Sequence, residues 1–221
     1  GIQAAIIARS ESGLGQHVDI SMLDCQISML NYMATMHSMS GLIPEPIGNS
    51  HFVHMPYNTF RTKDFPIVIA AVGDQFWPRL LKIFKDPELK NSEFEKAFER
   101  QKNKEKIESI LQKELLNESS EYWLNELEKE SVPCARVNNL EQAMNDEQIQ
   151  YRNMLVDVMH PEGGSVKVPG NPIKLSSIEN EQYSSPPLLG EHTKEVLQKW
   201  LNFSDEKLNE LDKQQVIEFK K

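Results

Sequence analysis

Two glycines within three residues divide the start of this chain, in the stretch Ser12-Gly13-Leu14-Gly15-Gln16-His17-Val18-Asp19-Ile20-Ser21-Met22-Leu23-Asp24. Upstream, the Ala- and Ile-containing segment Ile2–Arg9 favours a helix, which Ser12-Gly13 and Gly15 stop. Downstream, His17-Val18-Asp19-Ile20 alternates polar and apolar residues, as a brief strand does. Ser21 is placed to cap a second helix, with Asp24 three residues on in a capping-box spacing. Leu23, Ile27, Leu30, Met33 and Ala34 then recur at helical spacing. This predicts one long helix from Met22 to Ser40, closed by Gly41 with Pro44 and Pro46 beyond it.

Residues 41 to 56 hold Gly, Pro, Asn and His without a period and read as a linker. Pro56–Thr62 and Phe65–Val72 read as strands with Lys63-Asp64 turning between them, and Asp74–Phe84 is amphipathic. Asp86-Pro87-Glu88 is a helix-start signal, a capping Asp followed by Pro at the first helical position. From there to Glu130 the chain is expected to be helical and charge-rich, a solvated face with one apolar stripe of Ile107, Ile110, Leu111 and Leu115. Val132–Val137 reads as a short strand and Asn139–Arg152 as a helix. Met154–Met159 and Ser165–Val168 read as a hairpin around Pro161-Glu162-Gly163-Gly164. Residues 176 to 187 form a polar surface excursion. Thr193–Leu201 is a helix expected to turn Val196, Leu197, Trp200 and Leu201 inward, and Ser204 caps a last helix with Leu208, Leu211 and Val216. The order suggests two compact α+β units, one inserted into the other.

The balance of 33 Asp+Glu against 24 Lys+Arg in 221 residues argues against a nucleic-acid or membrane-surface binder, since phosphates and anionic lipids need basic patches. No apolar run approaches the roughly 20 residues of a bilayer span, and no secretory leader is visible at Gly1. The missing initiator Met fits an internal fragment or a trimmed chain. Cys25 and Cys134 read as reduced thiols of a cytosolic protein.

The six histidines form no metal-ligand spacing, so no metal is expected. Gly13-Leu14-Gly15 lacks the strand–turn–helix context of a dinucleotide loop. Cys134 has no His or Asn beside it and is read as a small hydrophobe. The loop Gly48-Asn49-Ser50-His51-Phe52-Val53-His54 joins flexible backbone, amide and imidazole, where binding residues concentrate. On the residues alone, an ordinary surface linker is the simpler reading of it.

Several segments, taken in order, point further. Arg9-x-x-Ser12-Gly13-x-Gly15-Gln16-x-Val18-Asp19-x-Ser21 comes first. Gly48-Asn49-x-His51, Pro56-Tyr57-x-x-Phe60-x-Thr62-x-Asp64 and Val132-Pro133-x-Ala135-x-Val137-Asn138 follow. Gln148-x-x-x-Arg152-x-Met154, His160-Pro161, Pro169-Gly170-x-Pro172-x-Lys174-x-Ser176 and Leu188-Leu189-Gly190-Glu191-His192-Thr193 complete the series. Together they resemble the class III CoA-transferases, the CaiB/BaiF family, and cover nearly the whole chain.

The resemblance implies an α/β fold, a Rossmann-like large domain with an inserted small α+β domain, in an interlocked homodimer. Residues 1–45 would finish the first large-domain segment, 46–140 form the small domain, and 141–221 return to the large domain. It implies an enzyme that moves CoA from an acyl-CoA to a small free carboxylic acid through an aspartyl intermediate, with the CoA thioester as substrate, no metal and a cytoplasmic setting. The nucleophilic Asp would precede Gly1, leaving no catalytic residue in this chain and Gly48, Asn49 and His51 as substrate-binding candidates. Asp19 matches a structural position and Asp24 starts a helix, so neither replaces it.

Three departures from the family pattern stand out. Phe65-Pro66 replaces the usual Gly after Asp64. Only Gly41 and Gly48 lie in residues 41–55, unlike formyl-CoA transferases. Gly73-Asp74 stands where racemases carry Glu, favouring transferase over the alternative of an acyl-CoA racemase or epimerase. A non-catalytic interaction subunit is the reading from a different class.

Overall fold

A computed structural model describes residues 1–178 and 181–218. Two compact units divide the chain, Gly1–Val137 and Asn138–Lys221.

The first unit is organised by a three-stranded antiparallel sheet of β1 (Tyr57–Phe60), β2 (Ile67–Ala70) and β3 (Cys134–Arg136), with β2 in the centre. Phe60 pairs with Ile67, and Ile69 pairs with Cys134. Alternation decides which face is buried. Ile67 and Ile69 are fully enclosed, while Val68 and Ala70 on the other face are half-buried.

The helices α4 (Trp77–Ile83), α6 (Lys104–Leu115) and α7 (Ser120–Lys129) share this core. The stripe of Ile107, Ile110, Leu111 and Leu115 is buried, as its spacing predicts. Phe84 stacks on Trp123 at 5.3 Å, and the indole N–H of Trp123 donates to the Leu115 carbonyl at 2.9 Å. That bond satisfies the one polar group which burying an indole would otherwise strand.

The turn from β1 to β2 needs no glycine. Phe65 is absent from the positive-φ positions, and the Asp64 carboxylate shapes the turn instead. It accepts the amides of Phe65 at 2.8 Å and of Ser120, the first residue of α7, at 2.7 Å. The Thr62 hydroxyl lies 2.9 Å from the same oxygen. Donated amides at a helix start stabilise the anion. The Ser120 amide first, helped by Phe65 and Thr62, holds the Asp64 carboxyl well below the usual carboxylate range.

Several expected elements differ. The long helix is two, α2 (Met22–Met29) and α3 (Tyr32–Ser40), separated at Asn31 with φ 48° and ψ −125°. Neither these nor α1 (Ile2–Ser12) buries a residue, so no packing holds the helices continuous, and Asn tolerates positive φ better than most residues. His17–Ile20 pairs with no strand among the described residues. The charge-rich segment after Pro87 is broken into two 3₁₀ turns (Pro87–Lys90 and Ser92–Glu95) before α5 (Ala97–Lys102) and α6.

In the second unit, α8 (Leu140–Met144) and α9 (Glu147–Tyr151) replace one expected helix. They split where Asp146 caps the second by accepting the Gln148 amide at 2.9 Å. The hairpin β4 (Leu155–His160) and β5 (Gly164–Pro169) follows, pairing Val158 with Val166. Of the expected excursion at 176–187, residues Glu179 and Asn180 lie outside the described residues. In α10 (Thr193–Leu201) only Leu197 of the expected inward face is half-buried, while Val196, Trp200 (75 % exposed) and Leu201 are exposed. Ser204 caps α11 (Asp205–Lys213), which buries Leu208, while Val216 lies beyond the helix and is exposed.

Asp64 supplies a pH test. Its carboxyl is depressed in the folded state, so its contribution is present above the unfolded value near about 3.9 and is lost as pH falls. Asp64→Asn is expected to lower the urea midpoint at pH 7. The gap to the parent protein should begin to narrow below about pH 4 and keep narrowing as pH falls further. A gap independent of pH would contradict the role of the carboxylate.

Candidate functional site

The loop Gly48–His54 closes on itself and on the start of β1. Gly48 takes φ 64°, a left-handed backbone that favours glycine, in a turn where the Ser50 amide donates to the Ile47 carbonyl at 3.3 Å. The Asn49 side-chain amide donates to the Thr59 hydroxyl at 3.4 Å. The His51 amide donates to the Tyr57 carbonyl at 3.2 Å. All three candidate residues therefore lie on one short loop, and two of them are tied to β1.

His51 is held through its ring. Its Nδ1 accepts the amides of Val53 at 2.9 Å and His54 at 3.1 Å. The ring stacks on Phe52 at 4.9 Å and tilts against His54 at 4.6 Å and Tyr57 at 5.3 Å. Phe52 in turn stacks on Tyr32 of α3 at 5.6 Å. Burial, and then the neighbouring His54, hold the His51 pKa below its ordinary value. A ring nitrogen that accepts two amides carries no proton, so the geometry and the direction of the shift agree on a neutral imidazole.

The floor of the loop comes from a helix some fifty residues away, α5. Gln101 donates its side-chain amide to the carbonyls of Phe52 at 2.8 Å and His51 at 3.5 Å. Its own Oε1 is buried and without a partner among the described residues.

Arg100, 1 % exposed, reaches four segments. Its Nε donates to the Met55 carbonyl at 3.1 Å, and one terminal nitrogen to the carbonyls of Phe94 and Glu95, each at 2.9 Å. The other terminal nitrogen pairs with Asp74 at 2.6 Å, and the guanidinium lies 5.2 Å from the centre of the Trp77 ring. Arg100 sits inside the charge-rich region that reads as a solvated face, and corrects that reading. A buried guanidinium is tolerated where its polar groups find acceptors, here three backbone carbonyls and one carboxylate, which leave no pattern in sequence.

The other candidates do not converge on this loop. Asp19 is exposed, and the Asp24 amide donates to the Ser21 hydroxyl at a helix start. The Cys134 thiol is pushed up, by burial first and then by Glu128, opposite to an activated nucleophile. Among the described residues, no three His, Cys, Asp or Glu side chains gather as metal ligands would.

Arg100→Met is expected to destabilise the first unit by on the order of 3 kcal/mol, because it strands three carbonyls and frees the Asp74 carboxylate. Equilibrium denaturation measures the loss. A change within about 0.5 kcal/mol, the range of neutral surface substitutions, would contradict the clamp.

The chain matches the profile described as CoA-transferase family III over residues 1–193. It is 29 % identical over 211 residues to human succinyl-CoA:glutarate CoA-transferase, an alignment covering 95 % of this chain and 48 % of that protein. It is 33 % identical over 198 residues to the succinyl-CoA:mesaconate CoA-transferase of Haloarcula hispanica, covering 89 % and 50 %. The crystal structure of a CaiB/BaiF family protein from Brucella suis superimposes with a TM-score of 0.74 at 28 % identity, covering 90 % of this chain and 51 % of that one. The chain thus spans about half the length of the relatives it matches. A match over most of the chain, with the mixed helix-and-sheet fold reproduced in that crystal structure, shows that this chain belongs to the class III CoA-transferase family.

Proposed function

We propose that the complete protein moves CoA between an acyl-CoA and a small carboxylic acid. The observation that carries this reading is that relatives named as CoA-transferases align with nearly all of the chain. In the proposed reaction an aspartate located before Gly1 attacks the donor thioester, expelling CoA thiolate and forming a mixed anhydride. The thiolate then attacks the aspartyl carbonyl, releasing the donor acid and leaving an aspartyl-CoA thioester. The acceptor carboxylate attacks that thioester, and returning thiolate completes the transfer. Covalent catalysis of this kind divides one hard acyl transfer into easier steps.

In this reading residues 1–45 finish a first large-domain segment, 46–140 are the small domain, and 141–221 return to the large domain. The loop of Gly48, Asn49 and His51 then contacts the acyl end of the substrate. The exposed apolar residues of α1, α2 and α3, with Met22 86 % and Met39 84 % exposed, support this assignment. Faces of this kind need covering, and the remainder of the large domain together with a second subunit of a homodimer would cover them. Asp74 bears on the racemase alternative. Bound to Arg100, it is engaged as a structural anion rather than free as an acid–base group. The two free cysteines support a cytosolic setting.

The test is intact mass spectrometry of the complete protein incubated with succinyl-CoA and hydroxylamine. Conversion of one aspartate before Gly1 to a hydroxamate is expected. A protein that binds acyl-CoA but yields no adduct would overturn the transferase reading. Residues 1–221 alone are expected to show no turnover with succinate, glutarate or mesaconate as acceptor. Robust turnover abolished by Asp19→Ala would contradict that. Sedimentation of the complete protein is expected to show a dimer, and a monodisperse monomer would remove the subunit-interface assignment.

A further inference from the structure

Two amides converge on one side of the His51 ring and leave the other side without a partner. Nδ1 accepts from Val53 and His54, so the ring proton resides on Nε2. Among the described residues, no group bonds Nε2. Protonating Nδ1 would break both amide bonds, which favours the neutral tautomer over the cation.

The same capping pattern occurs at His160, whose Nδ1 accepts the amides of Glu162 at 3.2 Å and Gly163 at 3.0 Å in the β4–β5 turn. Capping alone is therefore a device for making turns. His51 differs in the number of groups that fix it. Phe52, His54 and Tyr57 hold its ring, Gln101 holds its carbonyl and that of Phe52, and Arg100 holds the Met55 carbonyl. His160 has no ring contact among the described residues. A fixed, partly exposed ring is a preorganised N–H donor, which loses little entropy when an oxygen arrives.

We propose that His51, locked as the neutral Nε2–H tautomer by the Val53 and His54 amides, donates a hydrogen bond to a carbonyl or carboxylate oxygen at the acyl end of the substrate. This rests on the CoA-transferase reading above. The donor stabilises oxygen charge as it develops in acyl transfer and does not itself exchange a proton.

Two variants separate this role from turn-making. In His51→Asn, Oδ1 can accept the amides two and three residues on, as in an Asx turn, while the distal donor is lost. In His51→Gln, the side-chain N–H₂ reaches close to the position of Nε2 and keeps a donor, while the cap is lost. For the complete enzyme, His51→Asn is expected to keep its melting temperature and lose on the order of 100-fold in kcat. His51→Gln is expected to recover at least a tenth of the parent rate.

Two results would overturn the proposal. One is a kcat for His51→Asn within threefold of the parent. The other is a Gln variant no faster than the Asn variant. A folding defect in the variants leaves a direct measurement on the parent protein. Nitrogen NMR of its labelled histidines is expected to show Nε2 protonated and Nδ1 bare at pH 7, with the Nε2 signal moving on addition of a thioether analogue of succinyl-CoA. A proton on Nδ1, or an Nε2 signal unmoved at saturation, overturns the assignment. A parent enzyme with no transferase activity whose Nε2 signal still moves would instead count against the reaction class and leave the donor standing.

Discussion

A guanidinium cannot be taken out of water unless its donors are met, and the first unit is arranged around meeting those of Arg100. The partners are carbonyls from the 3₁₀ turn at Phe94-Glu95, the carbonyl of Met55 beside the loop Gly48–His54, and the carboxylate of Asp74 just past β2. Trp77 covers the planar face. One side chain thereby joins segments that the sheet alone does not hold. The pairing is lopsided: Arg100 is enclosed while the Asp74 side chain is 62 % exposed. The attraction is correspondingly screened on one side, and the neutral carbonyls do much of the holding. The same α5 helix supplies Gln101, so the floor beneath His51 and Phe52 and the clamp on Met55 come from one element.

Asp64 has a comparable part at the other end of the β1–β2 hairpin. A relative that places glycine in this turn relies on its backbone freedom, whereas Phe65 has none to offer. Here a carboxylate organises the turn by drawing amides to itself, including the first amide of α7. The turn and the helix start are held by one anion, which ties a local feature of the hairpin to the packing of Trp123 and Leu127 in the core.

Legibility in the sequence divides along physical lines. The strands β1, β2 and β3, the β4–β5 hairpin and the stripe on α6 were readable because alternation and helical spacing report directly on which face is buried. The caps at Ser21, Asp86 and Ser204 were readable because capping is a local hydrogen bond. Periodicity misled in α2, α3 and α10, where an apolar stripe exists but most of it is left exposed among the described residues. A stripe states that a face requires burial and leaves open what provides it. Charge density misled around Arg100, because burial of a cation depends on acceptors brought in from distant segments.

The site shows the same division. Gly48, Asn49 and His51 stand out as a loop of flexible and polar residues, and their resemblance to a family segment marks them as candidates. By itself the sequence determined the family, the strands β1 to β5 and the helix caps at Ser21 and Ser204, since each is written in neighbouring residues or in spacing along the chain. Only the tertiary structure decided that the His51 ring lies among Phe52, His54 and Tyr57, that its Nδ1 is an acceptor, and that α5 supports it from beneath. Those facts depend on where residues separated by tens of positions come to rest, and on which amide reaches which nitrogen once they do. Spacing along a chain carries no record of that geometry.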